Sequence, residues 1–222
     1  MKITWKRIKA SINNRTINAI DRYYDQRICG QSLSKYVPSV FRDDKNGIGM
    51  TGSQSTNYII LKRIFAQVQF SCEDVFLDVG CGKGRVLAFL IKEHCPCAIH
   101  GIEINKLSGE IAADWTKKYD QIHVEIGDAF KTDFNQYSVL FLGRPFLPKT
   151  FHEFLEILEP QLTHPITFIY WVDQQSGYML KDRSGWRLKY REMISEIHGL
   201  KICDGHPQGF SVWEYIPEER YS

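Results

Sequence analysis

The chain has 222 residues, 43% of them hydrophobic and 24% charged, which is ordinary for a soluble globular protein and enough for one well-buried α/β domain with residues left for an extension. No apolar run approaches the ~20 residues of a membrane span, and MKITWKRIKAS lacks the apolar core of a secretory leader. The expected location is therefore cytoplasmic, and a net charge of +2 does not by itself point to nucleic acid.

Residues 1–27 carry seven basic residues (Lys2, Lys6, Arg7, Lys9, Arg15, Arg22, Arg27) against Asp21 and Asp25, a net +5 that leaves −3 for the rest of the chain. Trp5, Ile8, Ile12, Ala19, Ile20 and Tyr23 recur at near-helical spacing, so an amphipathic basic helix is expected here. Such a helix either packs its apolar stripe on the core or offers its charge to an anionic partner. Residues 28–57 are rich in glycine, serine and asparagine and read as a long connection. Its end, Thr51 to Tyr58 (TGSQSTNY), is expected either to cap the following helix through Ser55 or Thr56 or to act as a lid. That helix runs from about Tyr58 to Val68.

From Val75 strands and helices alternate. Strands are expected at Val75–Val79, Ala98–Glu103, Ile122–Ile126 (Ile122, Val124 and Ile126 inward), Val139–Leu142 and Ile166–Val172. Between them, Val86, Leu87, Leu90 and Ile91 mark one helix, Leu107, Ile111 and Trp115 a second, and Phe151, Phe154, Leu155 and Leu158 a third. This alternation predicts a parallel sheet with helices on both faces. Extended pieces at Trp186–Ile194, Leu200–Cys203 and Phe210–Ile216 suggest a terminal antiparallel hairpin. Of the six cysteines, Cys29, Cys72, Cys81 and Cys203 are scattered, and Cys95 and Cys97 form a C-x-C pair with no second pair at zinc spacing. They are read as reduced thiols, and no metal is expected.

The run FLDVGCGKGR (Phe76 to Arg85) is a buried strand ending in a glycine-rich turn that opens a helix, a geometry that presents backbone N–H groups and clear space to a ligand. Gly80, Gly82 and Gly84 give G-x-G-x-G, and Arg85 stands where a dinucleotide binder has its third glycine. Asp78, just before the glycines, would repel a pyrophosphate and suits a ligand that is cationic at that end. Glu103 and Asp128 follow at intervals of 25 residues, about one β–α repeat each, so three carboxylates arrive on one rim of the sheet.

The run resembles the first motif of class I S-adenosylmethionine-dependent methyltransferases, and from about Thr51 onward the chain is similar to their compact, single-domain bacterial forms. The resemblance implies a doubly wound, mostly parallel, seven-stranded Rossmann-like sheet with a terminal antiparallel hairpin. It divides the chain into an N-terminal helix-and-loop extension (1–57) and a cofactor-binding domain (58–222). S-adenosylmethionine is the implied cofactor. The implied contacts are Asp78, Gly80, Cys81 and Gly82 at the methionine end, Glu103 with Ile104 at the ribose, Asp128 with Ala129 at the adenine, and Gly143 after the fourth strand.

That fourth strand leads into FLGRPF, which keeps Pro145 and Phe146 but has Gly143 and Arg144 where the resembled enzymes often carry Asn or Asp. Methylation of a planar adenine or glutamine nitrogen is therefore disfavoured, and Arg144 is placed to meet a carboxylate or phosphate on the acceptor. Arg144, Pro145, Phe146 and Tyr170 are the weak candidates for the reacting end. His152, Asp173 and His206 are further candidate bases, and Trp171 a candidate wall of the acceptor pocket. The acceptor is expected to be a small molecule or a glycan-type metabolite. A protein or RNA acceptor docking on the basic helix, or a non-catalytic cofactor-binding module, are the alternatives.

Overall fold

A computed structural model describes residues 5–38, 41–43, 48–49, 51–202 and 206–218. Its central sheet is built from β1 (Val75–Val79), β2 (Ala98–Glu103), β3 (Ile122–Ile126), β4 (Val139–Leu142), β5 (Ile166–Trp171), β6 (Trp186–Ile194) and β7 (Gln208–Tyr215). The order is β3-β2-β1-β4-β5-β7-β6. The first five strands are parallel, and β7 runs antiparallel to both β5 and β6. The mostly parallel, doubly wound sheet with its terminal hairpin is as the sequence predicts. All four residues of β4 are buried, as expected of a central strand covered on both faces. β3 is an edge strand, so Ile126, although its side chain lies against Gly109 of α4, stays 42% exposed.

The helices are α1 (Trp5–Cys29), α2 (Tyr58–Phe65), α3 (Arg85–Lys92), α4 (Lys106–Thr116) and α5 (Pro148–Gln161). One face of the sheet is covered by α1, α2, α3 and Trp115 of α4, with Phe65 stacked on Phe89 (5.4 Å) and Phe141 (5.5 Å). The other face packs Phe151, Phe154 and Leu158 of α5 against Leu140 and Phe168. Leu107, an expected core residue, is exposed, because α4 turns Ser108, Ala112 and Trp115 inward instead.

α1 packs on the core, but not along the stripe that its apolar residues trace. Its buried line is Ile17, Asp21, Asp25 and Ile28, while Tyr23 is 57% exposed. Two carboxylates therefore sit at the centre of the helix contact. The side chains of Trp5, Ile8 and Ile12, and of the basic residues up to Lys9, lie outside the described residues, as does Cys203. The capping expectation also changes. Asn57 is the N-cap of α2 and makes no side-chain cap, and neither Ser55 nor Thr56 does so. Asp21 of α1 supplies the acceptor instead, taking the Tyr58 N–H at 3.0 Å and the Asn57 amide at 2.6 Å.

Strand order reverses between β1, which continues to β2, and β4 on its other side. In such sheets the ligand crevice lies beyond the carboxyl ends of the strands at this point.

Candidate active site

A cleft opens at that point. Its floor is the end of β1 and the glycine turn, Asp78 to Gly82. Its sides are Ile102 to Asn105 from β2, Gly127 and Ala129 after β3, and Gly143, Pro145 and Phe146 after β4. Residues Thr51 to Thr56, with Pro38, form a strap across it. Sequence reasoning marked this segment only as a cap or a lid, and Pro38 not at all.

The turn needs its glycines. Gly80, Gly82 and Gly84 have φ of 77°, 57° and 86°, a region that side chains other than glycine's enter only with strain. A Cβ on Gly80 would lie 2.6 Å from Pro145 Cβ, and one on Gly82 would lie 2.4 Å from Ser53 Oγ. The N–H groups of Gly80 and Cys81 both donate to the Ile102 carbonyl (2.9 and 3.0 Å), and that of Gly82 donates to Glu103 Oε2 (2.7 Å). The expectation that the turn aims these N–H groups at a ligand is thus corrected. They are satisfied within the protein, and the turn contributes space and a carboxylate.

That carboxylate is Asp78. It is 2% exposed, and its Oδ2 has no hydrogen-bond partner among the described residues. Burial, then the charge of Glu103, pushes its pKa well above the ordinary carboxylate range. Glu103 itself is buried, and burial raises its pKa. Its two oxygens each accept a backbone N–H, from Gly82 and from Asn105, both at 2.7 Å. A carboxylate oxygen accepts more than one hydrogen bond, so both oxygens retain acceptor capacity. Lys83 is also buried, and its Nζ lies 3.5 Å from Ser53 Oγ on the strap. Burial lowers its pKa to about 8. A buried, unpartnered carboxylate oxygen in a cleft is costly alone. A cationic ligand end placed there would relieve that cost, so the residues present fit an amino-acid sulfonium.

Asp128 caps the short turn after β3, accepting the Phe130 N–H at 3.1 Å, with Ala129 beside it in the cleft wall. The structure thus brings together Asp78, Gly80, Cys81, Gly82, Glu103, Ile104, Ala129, Gly143, Pro145 and Phe146 around one cleft, and sets Asp128 at its margin. Arg144 has a left-handed backbone (φ 55°), and its carbonyl accepts Thr51 Oγ1 at 2.7 Å. Arg144 itself does not line the cleft, its charge reaches the Tyr170 hydroxyl, and among the described residues no carboxylate pairs with its guanidinium.

Other candidates lie elsewhere. Tyr170 is fully buried, stacked on Phe151 at 4.8 Å and bonded to Ser176 Oγ at 2.5 Å, and burial pushes its pKa up to about 12. Asp173 is held by both Nε and Nη2 of Arg191 (2.8 and 3.0 Å). His152 and His206 are exposed. Neither these four residues nor Trp171 line the cleft.

Arg85, read in the sequence only as a departure from a glycine, lines the cleft at the end of the turn and its guanidinium is fully engaged. Its guanidinium pairs with Asp25 at 2.6 Å and Asp21 at 3.1 Å, with all three side chains at most 2% exposed. No local pattern signals this, because the partners are 60 and 64 residues away.

In a doubly wound sheet an acid at the end of the second strand suits a ribose in either class of enzyme, and the buried Asp78 before the glycine turn disfavours a pyrophosphate there and fits a nucleoside with a cationic arm. Residues 76–161 match a family model described as a methyltransferase domain. That segment is the glycine turn and the strands around it, and the match supports an S-adenosylmethionine-dependent methyltransferase, with S-adenosylmethionine the cofactor that the cleft residues fit. Among solved structures it is similar to an RNA methyltransferase from Salinibacter ruber in complex with S-adenosylhomocysteine (22% identity, TM-score 0.54, covering 75% of this chain and 95% of that one). It is also similar to the Haloferax volcanii putative methyltransferase complexed with the Trm112 activator (15%, TM-score 0.58, 72% and 90%). A third is a putative tRNA (m1A22) methyltransferase from Streptococcus pneumoniae with S-adenosylmethionine (15%, TM-score 0.54, 73% and 75%). At these identities the likeness is one of fold. No curated protein matches the chain in sequence.

Proposed function

We propose that this methyltransferase acts on a small acceptor bearing a carboxylate or phosphate, held by Arg144. The carrying observation is the Arg144 guanidinium, a cation with no carboxylate partner among the described residues, which stands beside the cleft between Gly143 and Pro145 of its wall without itself lining it. A planar guanidinium suits a carboxylate or phosphate, which it can grip with two parallel hydrogen bonds. The strap supports a small acceptor, because Thr51 ties it across the cleft mouth to the Arg144 and Pro145 carbonyls (2.7 and 3.0 Å).

S-adenosylmethionine supplies an electrophilic methyl on a sulfonium. In this reading Asp78 balances the cationic methionine end, Gly80, Cys81 and Gly82 leave room for it, and Glu103 accepts hydrogen bonds from the ribose hydroxyls. Ile104 and Ala129 flank the adenine, Asp128 accepts from its amino group, and Gly143 leaves the methyl path clear. The protein's contribution is alignment and electrostatic support rather than a dedicated base, consistent with the positions of Tyr170, His152, Asp173 and His206 away from the cleft.

An RNA acceptor is the second reading. It is favoured by the exposed Arg15, Arg22 and Arg27 on α1 and by the RNA and tRNA methyltransferases among the proteins of similar fold. Transfer of tritiated methyl from S-adenosylmethionine into a size-fractionated cell extract separates the two. Label in the small-molecule fraction, lost in Arg144→Gln, supports the small acceptor. Ribonuclease-sensitive label in the large fraction replaces it with RNA.

A further inference from the structure

We propose that Arg85 is a positioning residue for cofactor capture: it fastens α1 and the strap to the turn that receives S-adenosylmethionine. The proposal rests on the methyltransferase reading.

Arginine has five N–H donors, and here five contacts use them. Nε and Nη2 donate to the two oxygens of Asp25 (3.0 and 2.6 Å), and Nη1 donates to Asp21 Oδ2 (3.1 Å). The remaining two reach Ser34 Oγ (2.8 Å) and the Ser55 carbonyl (3.4 Å). An ion pair that only glued α1 to α3 would need none of the last two. They fall on the strap itself, at Ser55, and on the stretch leading to Pro38, at Ser34, and these two stretches pair with each other at Val37 and Ser53.

Both carboxylates are themselves shared. Asp25 Oδ2 also accepts the Leu33 N–H at 2.8 Å, and Asp21 caps α2 at Tyr58. The strap is thus clamped on both sides through one guanidinium, at the first residue of α3. Ser53 Oγ then sits where a Cβ on Gly82 would collide, and Thr51 reaches Pro145. The distance between strap and glycine turn, which sets the cofactor cleft, is fixed by Arg85. A lysine cannot do this, since its compact ammonium has three donors on one atom and cannot span the five acceptors.

Removing Arg85 alone leaves two buried carboxylates unpaired and risks unfolding, whereas neutralising all three groups together is often tolerated. The test variant is therefore Arg85→Met with Asp21→Asn and Asp25→Asn, compared with wild type by calorimetric titration with S-adenosylhomocysteine and by amide hydrogen exchange. The control is Arg63→Gln, at an exposed arginine paired with Glu192. The expected result is a folded triple variant whose dissociation constant rises at least about tenfold, a 1.4 kcal/mol loss, with faster exchange over 51–57 and an unchanged control. Wild-type affinity in the triple variant overturns the proposal. A measurement on wild type alone covers a triple variant that fails to fold. There, bound S-adenosylhomocysteine is expected to slow exchange of the Leu33 and Tyr58 amides, which donate to Asp25 and Asp21, because coupling between sites is reciprocal. Unchanged exchange at both overturns the proposal while leaving the methyltransferase reading intact. A wild type that binds no S-adenosylhomocysteine overturns both.

Discussion

Glu103 accepts the Gly82 N–H at 2.7 Å, so the residue proposed to hold the ribose also holds the glycine turn. Its second oxygen holds Asn105, the N-cap of α4. One buried carboxylate thereby joins the ends of β1 and β2 before any ligand arrives. Glu103→Ala should act on both roles. Leaving the Gly82 and Asn105 donors without this acceptor is expected to cost about 1–3 kcal/mol of stability, and S-adenosylhomocysteine affinity should fall by about a hundredfold as the ribose acceptor is lost. Thermal unfolding and calorimetric titration check the two effects separately. Retention of wild-type affinity would remove Glu103 from the cofactor site.

Asp78 predicts the opposite pairing of effects. Its pKa is raised in the folded protein by burial and by Glu103, so ionisation opposes folding. Its favourable contribution is fully present below the ordinary value of 3.8 and is lost as pH rises through the elevated folded value. At pH 7 Asp78→Asn should therefore raise the melting temperature of the free protein, and the gain should shrink towards pH 4. Cofactor affinity should fall in the same variant, since the charge that meets the cationic end is gone. A melting series from pH 4 to 8 with and without S-adenosylmethionine tests this. A variant less stable than wild type at pH 7 would contradict the burial argument.

Gly80→Ala tests the close approach between the turn and the segment after β4. A Cβ there meets Pro145 Cβ at 2.6 Å on a backbone with φ of 77°. The left-handed conformation alone costs about 1–2 kcal/mol, and relief of the collision must displace Pro145 or the turn. The variant should melt lower and label the extract acceptor more slowly, at saturating S-adenosylmethionine as well as below it. An unchanged rate at saturation would mean that Pro145 does not help position the acceptor.

Much of this was legible beforehand, for a physical reason. A β–α repeat delivers each strand end to the same rim, so the regular spacing of Asp78, Glu103 and Asp128 encodes proximity along the chain itself. Fully covered strands such as Val139–Leu142 are continuous apolar runs and announce themselves. What the sequence concealed depends on contacts between distant segments. Asp21 and Asp25 read as charges interrupting a helical stripe, yet they lie at the centre of its buried face because Arg85 neutralises them. The Gly82 and Cys81 donors read as ligand contacts, but Glu103 and Ile102 had already taken them. Ile126 faces α4 as alternation implies, but alternation does not reveal that its strand is an edge, which leaves it 42% exposed.

Tyr170 separates burial from chemistry. As an aromatic hydroxyl at the end of β5 it was a candidate for the reacting end, but it is fully buried, stacks on Phe151, and shares its hydroxyl with Ser176. Burial pushes its pKa up to about 12, so it holds its proton throughout the neutral range and cannot serve there as a base. Tyr170→Phe removes one oxygen and preserves the ring stack. It leaves Ser176 Oγ without that partner, a loss of about 0.5–1.5 kcal/mol, which should appear as a lower melting temperature. Methyl transfer into the extract acceptor should continue at the wild-type rate and with an unchanged pH profile between pH 6 and 9. A rate reduced tenfold or more in a folded variant, or a shifted profile, would return Tyr170 to the reaction and require the cleft to extend to β5 in the presence of the acceptor.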